Sequence, residues 1–144
     1  MTGASLIVKD VMNTIWITNC SWRKDTSLKH TNIKVTPDIL YTSPRIQRFI
    51  QRCRWKNFAW AIFSDYYGVW FADKKHEWYE KHPKTVTEDE YQMLLKNFDD
   101  VLMPYEIIYF YYHPARFHGL YKRLLQESEL KERITAFTSI RGIG

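Results

Sequence analysis

The run "TIWITNC" at residues 14–20 decides the fold. It is short, rich in β-branched and aromatic residues, and stops at the turn formers Asn19-Cys20-Ser21. It lacks the strict alternation of a half-exposed strand, so it reads as a strand buried on both faces. Three later stretches have the same character: "NFAWAIFS" at 57–64, "YEIIYFYY" at 105–112 and "RITAFTSI" at 133–140. The short "VWF" at 69–71 reads as an extension of the second strand.

Helical segments separate these strands. In "SPRIQRFIQRCRW", residues 43–55, Ile46, Phe49, Ile50 and Cys53 fall at i, i+3, i+4 and i+7 and make one apolar stripe. Ser43 suits its N-cap and Pro44 its first position. In "TEDEYQMLLKNFDDVLM", residues 87–103, Thr87 and Glu90 have capping-box spacing, and Pro104 stops the helix. "PARFHGLYKRLLQES", 114–128, predicts a helix weakened inside by Gly119. Strands alternating with helix-length crossovers predict an α/β domain with a mostly parallel sheet of about four strands, covered on both faces. The expectation is a single domain over residues 1–144, with 1–12 as a loose segment or short edge element and "RGIG" at 141–144 as a turn or frayed end.

A formal net charge of +5 favours anionic partners, a small molecule or nucleic acid, although the 16 acidic residues interspersed among the basic ones fit an ordinary solvated surface equally. Aromatic residues make up 17% of the chain, more than one small core needs. Surplus rings would line a groove or a homo-oligomer contact, with Trp22, Trp70, Trp78 and Tyr79 as candidates. Cys20 and Cys53 form neither a C-x-x-C pair nor a disulfide framework, and no apolar run suggests a leader or a membrane span. The expected setting is therefore the cytoplasm, with no membrane partner.

In parallel sheets ligands gather outside the carboxyl ends of the strands. Strand one ends in Cys20-Ser21 with Lys24 close behind. Strand two ends in Ser64-Asp65-Tyr66-Tyr67-Gly68, strand three in Tyr112-His113-Pro114-Ala115-Arg116 and strand four in Thr138-Ser139, all on one edge of the sheet. Cys20 reads as a nucleophile activated by nearby cations or as a small buried thiol. His113 reads as an acid–base group, and Arg116 beside it as an anion contact or a surface charge. Ser21, Lys24, Ser43 and Arg45 would hold an anion; Tyr41 and Tyr67 would stack on a base or hydrogen-bond to it. Gly68 marks a turn with positive φ or a close backbone approach. His113 and His118 are five apart, with no carboxylate at a suitable spacing, so no metal site is expected. The chain has no G-x-G-x-x-G, no G-x-x-x-x-G-K-[ST] and no G-x-S-x-G, and its motifs name no cofactor.

Three blocks taken together, "CSWRK", "LYTSPRIQRF" and "WAIFSDYYGVW", resemble a family of small prokaryotic domains of unknown function. That family's pattern is Cys-x-x-x-Lys, Leu-Tyr-x-Ser and a strand ending Ser-Ala-x-Tyr-Gly. Cys20, Lys24, Leu40, Tyr41, Ser43, Ser64, Tyr67 and Gly68 stand at its positions, with Asp65 in place of the usual Ala. The resemblance spans about residues 14–80 and implies a three-layer Rossmann-like fold. The "CS" followed by Lys is also similar to a domain of archaeosine-forming tRNA-modifying enzymes, which implies a nucleobase or tRNA context. The favoured function is binding of a nucleotide, nucleobase or other phosphate-bearing ligand at the sheet edge, with an enzymatic step in nucleic-acid or tRNA modification involving Cys20 and His113. The alternative is a non-catalytic RNA- or DNA-binding module using the Arg-rich helix 43–56. Loop 70–82 is a candidate lid over the site.

Overall fold

The computed structural model describes residues 13–144, so the expectation for 1–12 lies outside the described residues. The fold is mixed α/β. In chain order the elements are β1 (Thr14–Asn19), α1 (Pro37–Leu40), α2 (Pro44–Trp55), β2 (Trp60–Ser64), β3 (Gly68–Phe71), α3 (Glu88–Leu102), β4 (Ile107–Tyr111), α4 (Gly119–Glu127) and β5 (Ile134–Phe137), with single 3-10 turns between some of them.

The five strands form one sheet in the order β3-β2-β1-β4-β5. β1 pairs in parallel with β2 and β4, and β4 in parallel with β5. Among the strands of the described residues only β2 and β3 run antiparallel. β1 is thus the central strand, and Ile15 and Ile17 within it are fully buried. The chain lays β2 and β3 on one side of β1, then crosses over to lay β4 and β5 on the other. The order reverses between β1 and β4, which makes a crevice at their carboxyl ends.

The fifth strand corrects the expected four. "VWF" is not an extension of β2 but the body of β3, folded back through Asp65-Tyr66-Tyr67 so that Ser64 pairs with Gly68. The Ser64 hydroxyl accepts from the N–H groups of Tyr66 and Tyr67, and Gly68 closes the turn at φ +78°. A Cβ at Gly68 would also collide with Asn97 Oδ1, the atom that accepts from the Val69 N–H at 2.9 Å.

The predicted stripe on α2 is fully buried at Ile46, Phe49, Ile50 and Cys53. Phe49 stacks on Tyr111 of β4, whereas Phe98 of α3 and Tyr121 of α4 meet Phe63 of β2 edge-on. Trp16 lies between Phe58 and Tyr109, with centroids at 5.1 and 4.1 Å; stacked pairs of this kind add about 0.5–1.5 kcal/mol each beyond their buried area. Thr87 and Glu90 form both bonds of the capping box. Gly119 does not interrupt a helix: it is the first residue of α4, after the His118 N-cap. The C-terminal tail is not frayed, because Ile143 is fully buried and its carbonyl accepts from Arg52 Nε. Trp70 and Tyr79 are core residues rather than exposed interface rings, and Trp78 is half-buried; Trp22 is exposed as expected. Among the described residues no helix is long and apolar enough to cross a membrane.

Candidate functional site

A cleft of about 360 Å³ opens beyond the carboxyl ends of β1, β2 and β4, at the strand-order reversal. β1 ends in it with Asn19, Cys20 and Ser21, and Trp22 and Arg23 continue its wall. The first turn of α2 contributes Ser43 and Arg45, and the turn after β2 contributes Asp65. The segment after β4 brings His113 and Arg116, α4 brings His118 and Tyr121, and the loop before α3 adds Lys81 and His82.

Arg45 positions this assembly. Its guanidinium donates to Thr18 Oγ1 at 2.5 Å and to the Asn19 carbonyl at 2.8 Å, while the Thr18 hydroxyl donates to the Tyr111 carbonyl at 2.7 Å. The start of α2 is thereby tied to the seam between β1 and β4. Ser43 occupies the N-cap position, yet its hydroxyl makes no capping bond.

The floor is neutral or acidic. Cys20 Sγ lies 3.2 Å from the Tyr121 hydroxyl. Burial, reinforced by the neighbouring Asp65 carboxylate, pushes the thiol up to about 11. Near neutral pH it is therefore a thiol and not a thiolate. Asp65 is 3% exposed, and burial raises its carboxyl above the usual range. Its Oδ1 and that of Asn19 are buried without a hydrogen-bond partner.

The rim is a set of donors. Three histidines line the cleft, and each ring accepts, at Nδ1, the backbone N–H two residues on: Lys84 on His82, Ala115 on His113 and Leu120 on His118. A neutral imidazole whose Nδ1 accepts must carry its proton on Nε2. All three rings are therefore set as Nε2–H donors. Arg116 is exposed and makes no ion pair among the described residues. Lys81 bridges Glu90 at 2.9 Å. Among the described residues Asp65 is the sole carboxylate of the lining, against four Lys or Arg side chains. Among the described residues no group of three His, Cys, Asp or Glu side chains is placed to hold a metal.

The structure brings together Cys20, Ser21, Ser43, Arg45, His113 and Arg116 of the residues singled out in the sequence. It sets the others apart. Ser64 is buried as the hydroxyl that holds the β2–β3 turn. Tyr41 is fully buried, with its hydroxyl 2.5 Å from that of Tyr79. Tyr67 stacks on His76 and donates its hydroxyl to the Glu77 carbonyl. Lys24 lines a neighbouring groove of about 600 Å³. Thr138-Ser139 does not line the cleft, because β5 is at the sheet edge beyond β4. The segment after β3 is pinned by backbone pairing of Val35 with His76 and by a Lys29–Glu80 ion pair.

The sequence reading did not single out Asn19, His82, His118, Tyr121 or Asp65 as site residues. Asp65 was accessible in principle, as a carboxylate at a strand end. Tyr121 and the two histidines carry no local signal, since tertiary packing alone brings them to β1. No family model matches the chain, and neither the curated proteins nor the solved structures contain a match to it.

Proposed function

We propose that this cleft binds a phosphate-bearing ligand, a nucleotide in the first instance, at the carboxyl edge of a three-layer Rossmann-like sheet. The layering is supported by alternation along the strands. Phe63 has the parity of Ile17 and Phe110 in the pairing register and meets α3 and α4; Tyr111 has the opposite parity and meets α2.

The observation that carries the reading is the donor set. Three Nε2–H groups and the Arg116 guanidinium line one cleft with a carboxylate that burial raises above its usual range. A phosphate offers several acceptor oxygens and a full negative charge, which is what such a rim complements. The uncapped first turn of α2 adds a favourable dipole end. A thiol held protonated argues for Cys20 as a wall and hydrogen-bond partner rather than as a resting nucleophile. His113 retains the geometry of a proton donor should the bound ligand react. The resemblance to nucleobase-related domains agrees with this ligand class.

The Arg-rich helix is a poorer nucleic-acid surface than its sequence suggests. Arg45 is bound to β1, Arg52 to the Ile143 carbonyl, and Arg54 to Asp38 at 3.0 Å.

Calorimetry with nucleoside monophosphates and with inorganic phosphate tests the reading. Binding should be measurable, and Arg116→Ala should weaken it about tenfold with no change in melting temperature, since this side chain is exposed. Nucleotide binding indifferent to Arg116→Ala and to His113→Ala would overturn it.

A further inference from the structure

The groove beside the cleft has its own cation, one held against aromatic rings. Lys24 is 9% exposed, and among the described residues its ammonium makes no hydrogen bond and no ion pair. Its contacts are the faces of Tyr79 at 4.4 Å and Trp78 at 5.8 Å. Asp65, which lines the cleft, and Glu80, which pairs with Lys29 at 2.6 Å, attract Lys24 through space without bonding to it. An ammonium largely withdrawn from bulk water, yet open to the groove, is placed to take an acceptor from an occupant. Trp78 Nε1, in the same groove, is a second buried donor with no partner.

The groove and the cleft share a wall: Trp22, Arg23, Lys81 and His82 line both. Trp22 is 74% exposed, with Arg23 against its ring at 5.7 Å. A large bare indole flanked by cations is a stacking platform for a base.

Building on the cleft as a nucleotide site, we propose that the Lys24 groove is a second subsite, for the adjoining nucleotide of single-stranded nucleic acid. Its phosphodiester meets Lys24, and a base stacks on Trp22 at the shared wall. The ligand class is then an oligonucleotide rather than a free mononucleotide. An anion alone would explain Lys24 but leave Trp22 without a role. A peptide carboxylate would satisfy Lys24 without the repeat of charge and ring that two adjoining basic aromatic grooves match.

The test is calorimetry on the full chain with a nucleoside monophosphate, the triphosphate, a 5′-phosphorylated dinucleotide, a short single-stranded RNA and an acidic peptide of equal charge. The dinucleotide and RNA should bind at least about tenfold tighter than the monophosphate. Lys24→Met, which keeps the stem over Tyr79, should abolish that gain while the monophosphate affinity holds. Trp22→Ala, at a position too exposed to disturb the core, should likewise reduce the gain. RNA binding should fall with salt. Equal gains from the triphosphate or the acidic peptide would overturn the proposal, since the groove would then read charge alone. A gain that survives Lys24→Met with unchanged melting temperature would overturn it too. Loss of monophosphate binding in Arg116→Ala, with the Lys24-dependent gain absent from the start, would leave the cleft standing and the second subsite refuted. Absence of all binding would refute both.

Discussion

At the scale of single residues, Gly68 and the two cysteines carry the sharpest expectations. Gly68 needs φ +78° and has Asn97 Oδ1 where a Cβ would go. Gly68→Ala should cost about 1–3 kcal/mol in urea unfolding, through left-handed backbone strain and the loss of the Asn97–Val69 bond. Asn97→Ala should recover part of that cost in the double variant, because it removes the colliding atom. Cys20 and Cys53 are buried thiols pushed from 9.0 up to about 11 and about 12 respectively. The native state therefore holds these protons where the unfolded chain has released them. Stability contributed by the neutral thiols is complete below pH 9 and drains away as pH rises toward 12. Melting temperature followed from pH 8 upward should fall faster for the native protein than for Cys53→Ala. A thiol reagent at pH 8 should reach Cys53 only after denaturant is added and should label Cys20, on the cleft wall, far more slowly than a free thiol.

At the scale of elements, α3 is held by its start. Thr87→Ala removes one half of the capping box and should cost about 1 kcal/mol, read as a shift in the urea midpoint at constant m-value. One residue on, Glu88 grips Arg123 of α4 through two bonds of 2.7 Å. The Arg123 guanidinium holds the Glu88 carboxyl down at about 2, against an ordinary 4.5. A depressed carboxyl stabilises above 4.5 and loses that contribution as pH falls through 2. NMR titration should place the Glu88 midpoint near 2, and Arg123→Gln should return it toward the ordinary value. Both helix boundaries and the capping box were legible in the sequence, because they depend on residues three or four apart. β3 was not. Its four residues show no period, and what makes it a separate strand is the Ser64 hydroxyl and the Asn97 side chain, the latter 28 residues away. The same limit concealed that Arg45, one of four arginines on a basic helix, turns inward to bind β1.

At the scale of the molecule, strand order ranks local stability. β1 is hydrogen-bonded on both sides and buried, whereas β5 and β3 are edges. Hydrogen exchange should find the amides of Ile15–Asn19 the last to open and those of β5 among the first, with loss of that ranking only on global unfolding. The sequence pointed to the sheet edge where the cleft opens, since strand ends could be read one by one. It did not reveal which ends meet, because pairing order is a property of the crossovers. Thr138-Ser139 falls away and Tyr121 and His82 come in for that reason. The distribution of the six tryptophans has a practical outcome. Trp16, Trp60 and Trp70 are enclosed, Trp78 is half-buried along the groove, and Trp55 lies under Arg52 and Lys56, each at 4.9 Å. Trp22 stands bare at the mouth shared by cleft and groove. The protein thus carries its own optical gauge: an external quencher should reach chiefly Trp22 and Trp55, and an occupant of the mouth should shield the first without touching the second.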